Sequence, residues 1–120
     1  MNSDAFPAAL EDRGFYIAED LIDQATIAAA VAEVGRLHEL YIELEAQDPE
    51  SVEAHFMIEP FAQSHRQTDG MPVLRKIEQV QIYSDFFERL PRTPALVDLV
   101  SAFIGPDILL FRNTLMLKPG

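Results

Sequence analysis

The chain has 120 residues, with 20 Asp and Glu against 9 Lys and Arg, a formal net charge of −11, and no Cys or Trp. Its length suits one compact domain without room for a second, and 48% apolar residues place it among globular rather than disordered chains. The acidity excludes nucleic acid and anionic membranes as main partners, which are bound largely through Lys and Arg, and no run nears the roughly 18 apolar residues of a bilayer span.

Zero cysteine also excludes disulfides, thiolate metal sites and Cys nucleophiles. Together with a start, Met1-Asn2-Ser3-Asp4, that lacks the basic and apolar regions of a secretory signal, it points to a cytoplasmic protein. The charge is uneven: residues 1–60 hold 14 acids with only Arg13 and Arg36, whereas residues 61–120 hold 6 acids and 7 bases. A site for an anionic small molecule therefore belongs in the second half.

In chain order, residues 4–12 read as a short helix ending before Gly14, with Pro7 tolerable in its first turn. Phe15-Tyr16-Ile17 is a brief β-prone run. Asp23 is a good N-cap for a long amphipathic helix over about 24–46, whose stripe is Ile27, Val31, Val34, Leu37, Tyr41 and Leu44. Residues 47–72 are irregular, punctuated by Pro49, Pro60, Gly70 and Pro72, with a short strand expected over 54–59 that puts Phe56 and Ile58 on one face. A strand over 73–82 follows, with Leu74, Lys76, Glu78, Val80 and Ile82 sharing a face. Helices are expected at 84–90, closed by Pro91, and at 93–104, capped by Thr93 and stopped by Gly105-Pro106. The last element is a strand over 108–117, with an apolar face of Leu109, Phe111, Leu115 and Leu117 broken by Asn113. These elements make an α+β domain. The closing Lys118-Pro119-Gly120 is a turn signal that promises a further strand. Pattern alone leaves two readings open: a small α+β domain ending in a strand, or a piece of a larger β fold cut at a turn.

Chemistry-bearing residues are sparse. The histidines are His38, His55 and His65, with no HExxH or HxD/E spacing. His38 on the long helix suits a hydrogen-bonded packing role, His55 with Glu59 would pair ligands only on a helix, and His65 lies in a polar loop. No catalytic residue and no metal ligand can be assigned. Lys76 is more informative, because it sits with Glu78 between apolar residues. The even face of the last strand carries Ile108, Leu110, Arg112, Thr114, Met116 and Lys118, a mixed face that could line a small-ligand cavity. The plainer alternative is a lysine snorkelling from an edge strand and a threonine that is merely β-prone.

The succession Gly14-Phe15-Tyr16-Ile17-Ala18-Glu19-Asp20-Leu21, a long helix, Leu74-Arg75-Lys76-Ile77-Glu78, Phe86-Phe87, Pro94-Ala95-Leu96-Val97, Ile104-Gly105-Pro106-Asp107 and Leu115-Met116-Leu117-Lys118-Pro119-Gly120 resembles the N-terminal part of the phytanoyl-CoA dioxygenase family. The likeness runs over nearly the whole chain. It implies N-terminal helices plus the first strands of a double-stranded β-helix (a jelly roll), truncated before the metal-binding strands. It implies further a non-haem Fe(II)/2-oxoglutarate-dependent dioxygenase that hydroxylates a small organic substrate with O₂. The family's HxD…H iron ligands, and its arginine for 2-oxoglutarate, are then expected beyond Gly120, so the C-terminal remainder of the same domain is a partner and the 120 residues are inactive alone. Lys76 matches the family's 2-oxoglutarate lysine, and Thr114 matches a cosubstrate-contacting position often held by Met. Arg112 and Lys118 have no motif warrant. The alternative is a complete, non-catalytic acidic α+β module that docks partners or scaffolds through its long helix.

Overall fold

The structure, a computed structural model, describes residues 5–59 and 72–118. These form an α+β fold of five α-helices and a three-stranded antiparallel sheet. The helices are α1 (Ala5–Arg13), α2 (Gln24–Gln47), α3 (Pro49–His55), α4 (Asp85–Arg89) and α5 (Pro94–Ile104), and the strands are β1 (Phe56–Ile58), β2 (Leu74–Glu78) and β3 (Thr114–Met116). His65, Pro60, Gly70 and the Pro119-Gly120 turn fall outside the described residues.

Local chemistry sets the helix ends. α1 stops at Gly14, whose φ of +79° suits glycine and whose N–H closes on Leu10 O at 3.0 Å. Asp23 Oδ1 accepts from Thr26 N at 2.7 Å and so caps α2 as expected. Asp48 serves both neighbours: its N–H donates to Leu44 O at the end of α2, and its carboxylate accepts from Ser51 N and Oγ at the start of α3. Pro49 in the first turn of α3 completes that start signal.

Several strand expectations are corrected. Phe15-Tyr16-Ile17 forms no strand. The segment expected to be extended over 54–59 is helical up to His55, so only Phe56–Ile58 pairs. β2 ends at Glu78 rather than Ile82, because Gln79 turns left-handed (φ 51°) and Val80–Ile82 coil into a 3₁₀ turn. The final strand shrinks to Thr114–Met116. Leu109 and Phe111 are 93% and 92% exposed, and among the described residues no strand pairs with their backbone. Pro91 does not end its helix outright but sits in a 3₁₀ turn (Leu90–Arg92), and Thr93 is the N-cap residue of α5 as expected, accepting from Val97 N at 2.9 Å through its backbone while its Oγ1–H donates to Leu90 O at 2.6 Å.

The strand order is β1-β2-β3, which makes β2 the central strand. Phe56 pairs with Ile77, and Met57 with Lys76. The register then slips, so that Ile58 meets Leu74 and Arg75 is left as an extra residue. This bulge reverses the side-chain alternation, and Leu74 and Ile77 both turn into the core, 2% and 0% exposed. Leu74 is thus on the face opposite to Lys76, contrary to a simple two-residue period. Phe56, Leu74, Ile77 and Val80 pack with Leu37 and Tyr41 of α2 and Phe87 of α4, and Leu115 and Leu117 join from β3. Phe56 contacts Tyr41 and Tyr83 edge-on, with ring centroids 5.7 and 5.0 Å apart. Separately, α1 meets α5 through Phe6 and Phe103, with Ala9 and Leu99 buried nearby.

Candidate functional site

The face of the sheet turned away from this core carries Met57, Lys76 and Met116 in one cross-strand row, and Glu78 with Thr114 in the next. Lys76 is therefore flanked on both sides. That corrects the picture of a lysine at a sheet edge, and it accounts for a side chain only 24% exposed, its stem lying between two methionines. Thr114 stands diagonally from Lys76, a relation that places side chains about 7–8 Å apart in antiparallel sheets. The two residues expected to hold one ligand thus come from adjacent strands and share a face.

The ammonium of Lys76 is ion-paired with the Glu78 carboxylate two positions along the same strand. This pairing, chiefly through the hydrogen bond, holds Glu78 below the usual carboxylate range, with weaker help from the charges of Arg112 and His55. The Thr114 hydroxyl is buried and has no hydrogen-bond partner, as is the Gln81 side-chain oxygen in the following 3₁₀ turn. Leaving such a group unsatisfied costs about 1–3 kcal/mol, so a ligand oxygen reaching the Thr114 hydroxyl would recover part of that. Arg112 is exposed, its guanidinium 5.5 Å from the centroid of the Phe111 ring, and Lys118 is exposed as well.

The two described histidines, His38 and His55, are engaged in other hydrogen bonds. His38 Nδ1–H donates to Val34 O at 2.8 Å, and His55 Nδ1 is hydrogen-bonded to the Tyr83 hydroxyl at 2.5 Å. Because α3 ends at His55, Glu59 does not share a helix face with it. Among the described residues no three His, Cys, Asp or Glu side chains stand together in a way that would hold a metal ion. The residues on this face fit one end of a dicarboxylate, a cation and a hydroxyl, and do not by themselves fit iron.

A separate cleft of about 740 Å³ lies between α2 and α4, lined by Glu33, Arg36, Tyr83, Asp85, Phe86 and Arg89 among others. Neither Lys76 nor Thr114 borders it. Arg36 is already engaged: Nη2 donates to Glu33 Oε1 at 2.5 Å and to Tyr83 O at 2.6 Å. Ser84 Oγ donates to the same Glu33 oxygen at 2.8 Å and accepts from Phe87 N at 3.1 Å, capping α4. This network stitches α2 to the start of α4, which makes the cleft a structural seam rather than the stronger ligand site. Of it the sequence shows only the Glu33/Arg36 spacing on the polar side of α2; the partnership with Ser84 spans 51 positions and has no local signal.

No protein-family model, no curated protein and no solved structure matches the chain. Among the described residues no helix is long and apolar enough to cross a membrane.

Proposed function

We propose that the chain is the N-terminal part of a non-haem Fe(II)/2-oxoglutarate-dependent oxygenase of the phytanoyl-CoA dioxygenase type, acting on a small organic substrate in the cytoplasm. Its sheet would be the opening of a double-stranded β-helix. The observation that carries the reading is that Lys76, mostly buried, and the buried Thr114 hydroxyl, which has no hydrogen-bond partner, share the sheet face turned away from the core. When bound, iron and 2-oxoglutarate would together supply the oxidising power to hydroxylate an unactivated C–H bond with O₂. The described residues offer no iron site, and the family likeness puts those ligands in the C-terminal remainder of the domain.

The role of this chain's own residues follows from their chemistry. Lys76 neutralises a carboxylate of 2-oxoglutarate by a charge-assisted hydrogen bond, strengthened because its side chain is only 24% exposed. Thr114 offers a hydroxyl that can donate to the same ligand. The buried side of β2 holds Lys76 in place, since Ile77 next to it is locked in the core.

The test is 2-oxoglutarate binding followed by NMR titration of the chain, repeated for Lys76→Ala. Loss of a hydrogen bond to a charged group should weaken binding by about 10-fold or more. In the intact protein the same substitution should raise the apparent KM for 2-oxoglutarate and leave iron affinity nearly unchanged. Equal affinity for wild type and variant would return Lys76 to a packing role between two methionines. A docking module remains the second reading, favoured by the N-terminal half of α2, where Ile27 and Val31 of the apolar stripe are 42% and 69% exposed.

A further inference from the structure

We propose that Glu78 is an internal counter-ion that competes with the incoming carboxylate for Lys76, so that 2-oxoglutarate enters only by displacing it. The inference rests on the proposed 2-oxoglutarate site and adds a specificity-determining residue to it. Three observations carry it. Glu78 is the residue paired with the Lys76 ammonium, so the donor a ligand would need is already occupied by a carboxylate. Glu78 also stands directly across from Thr114 in the β2–β3 register, opposite the buried hydroxyl that lacks a partner. And the Glu78 side chain is 44% exposed, against 24% for Lys76, which leaves the carboxylate free to swing into solvent while the ammonium stays in place.

The charges around this pair favour exchange of one anion for another. The Arg112 guanidinium, from the segment before β3, also acts on the Glu78 carboxylate, in addition to Lys76. A ligand carboxylate taking its place would meet the same positive surroundings. The displaced Glu78 would then lie next to the ligand as a negative charge, which penalises ligands with additional anionic groups near that end. A gate of this kind selects for a compact dicarboxylate over a more highly charged anion.

The experiment measures 2-oxoglutarate binding to the 120-residue chain by NMR titration at fixed ionic strength, for wild type, Glu78→Gln, Lys76→Met and the double variant. Glu43→Gln, at an exposed position on α2, controls for the general loss of one negative charge. An exposed ion pair of ordinary strength predicts that Glu78→Gln tightens binding about two- to fivefold, while Lys76→Met abolishes the gain. Binding that depends on Lys76 but is no tighter in Glu78→Gln overturns the gate and leaves the 2-oxoglutarate site standing. An equal gain from Glu43→Gln overturns it too, by reducing the effect to net charge. Absence of binding in every variant of the chain, together with a KM for 2-oxoglutarate in the intact protein that Lys76→Met leaves unchanged, overturns the site and the gate together.

Discussion

Glu33 shows how a single side chain ties two elements. Its carboxylate accepts from Arg36 and from Ser84, and at 16% exposure it would be costly without those partners. The Arg36 hydrogen bond is the main cause that holds Glu33 below its ordinary 4.5, with burial opposing and Ser84 assisting. A carboxyl whose folded value is depressed contributes stability that is present above the unfolded value and is lost as pH falls through the folded one. We therefore expect Glu33→Gln to lower stability at pH 7 by about 1–2 kcal/mol in urea unfolding, and the gap to wild type to narrow as pH falls below 4.5. A gap that does not change with pH would assign the loss to packing rather than charge. At this scale the sequence was legible where a residue acts through its immediate neighbours: Asp23 caps α2, and Lys76 and Glu78 share a face. It was silent on Ser84 meeting Glu33, because only the docking of α4 on α2 brings them together.

Among the elements, helices were readable and strand lengths were not. The helix over 24–46 carries its own signals, a cap and a 3.6-residue stripe, and α2 follows them to within a residue. Strands depend on partners that local pattern does not reveal. The 73–82 run is β-prone throughout, yet only its first half finds β1 and β3; Val80 instead reaches the core from a 3₁₀ turn, its N–H donating to Asn113 O at 3.1 Å. Asn113, the one break in the expected apolar face, makes sense here, since its amide also donates to Phe87 O at 2.7 Å and ties the segment before β3 to α4. The α3 start was visible in Asp48-Pro49-Glu50-Ser51, a capping residue followed by proline and an acid, but the punctuation of the surrounding stretch masked it. Gln79 is the hinge of this region. Its φ of 51° lies in the left-handed region, which costs a non-glycine residue about 1–2 kcal/mol. Replacing Gln79 by Gly is expected to raise stability by about 0.5–1 kcal/mol, part of the relief being offset by glycine's greater freedom when unfolded. A drop in Tm on that change would mean that the glutamine side chain holds the turn.

The whole molecule is extended for its length. Its radius of gyration is 17.2 Å, whereas a compact domain of 120 residues would have about 13.6 Å. Two features account for this: the first half of α2 runs past the core, and the main core is separate from the α1–α5 contact. The consequence is apolar surface that a self-sufficient domain would bury, with Val31, Ile17, Leu109 and Phe111 between 69% and 93% exposed. The segment holding Leu109 and Phe111 was expected to be a strand and has the pattern of one, but among the described residues no strand pairs with it. We expect the 120-residue chain to bind a hydrophobic dye and to self-associate as its concentration rises in size-exclusion chromatography. Leu109→Ser with Phe111→Ser should reduce both effects while changing unfolding stability by no more than about 0.5 kcal/mol, because neither side chain supports the core. Should the double variant instead unfold at markedly lower denaturant, these side chains would be packed in solution and the surface would already be covered by the chain itself. If stability holds and association falls, Leu109 and Phe111 mediate the association from outside the core, as the proposed pairing of this segment with a further strand requires.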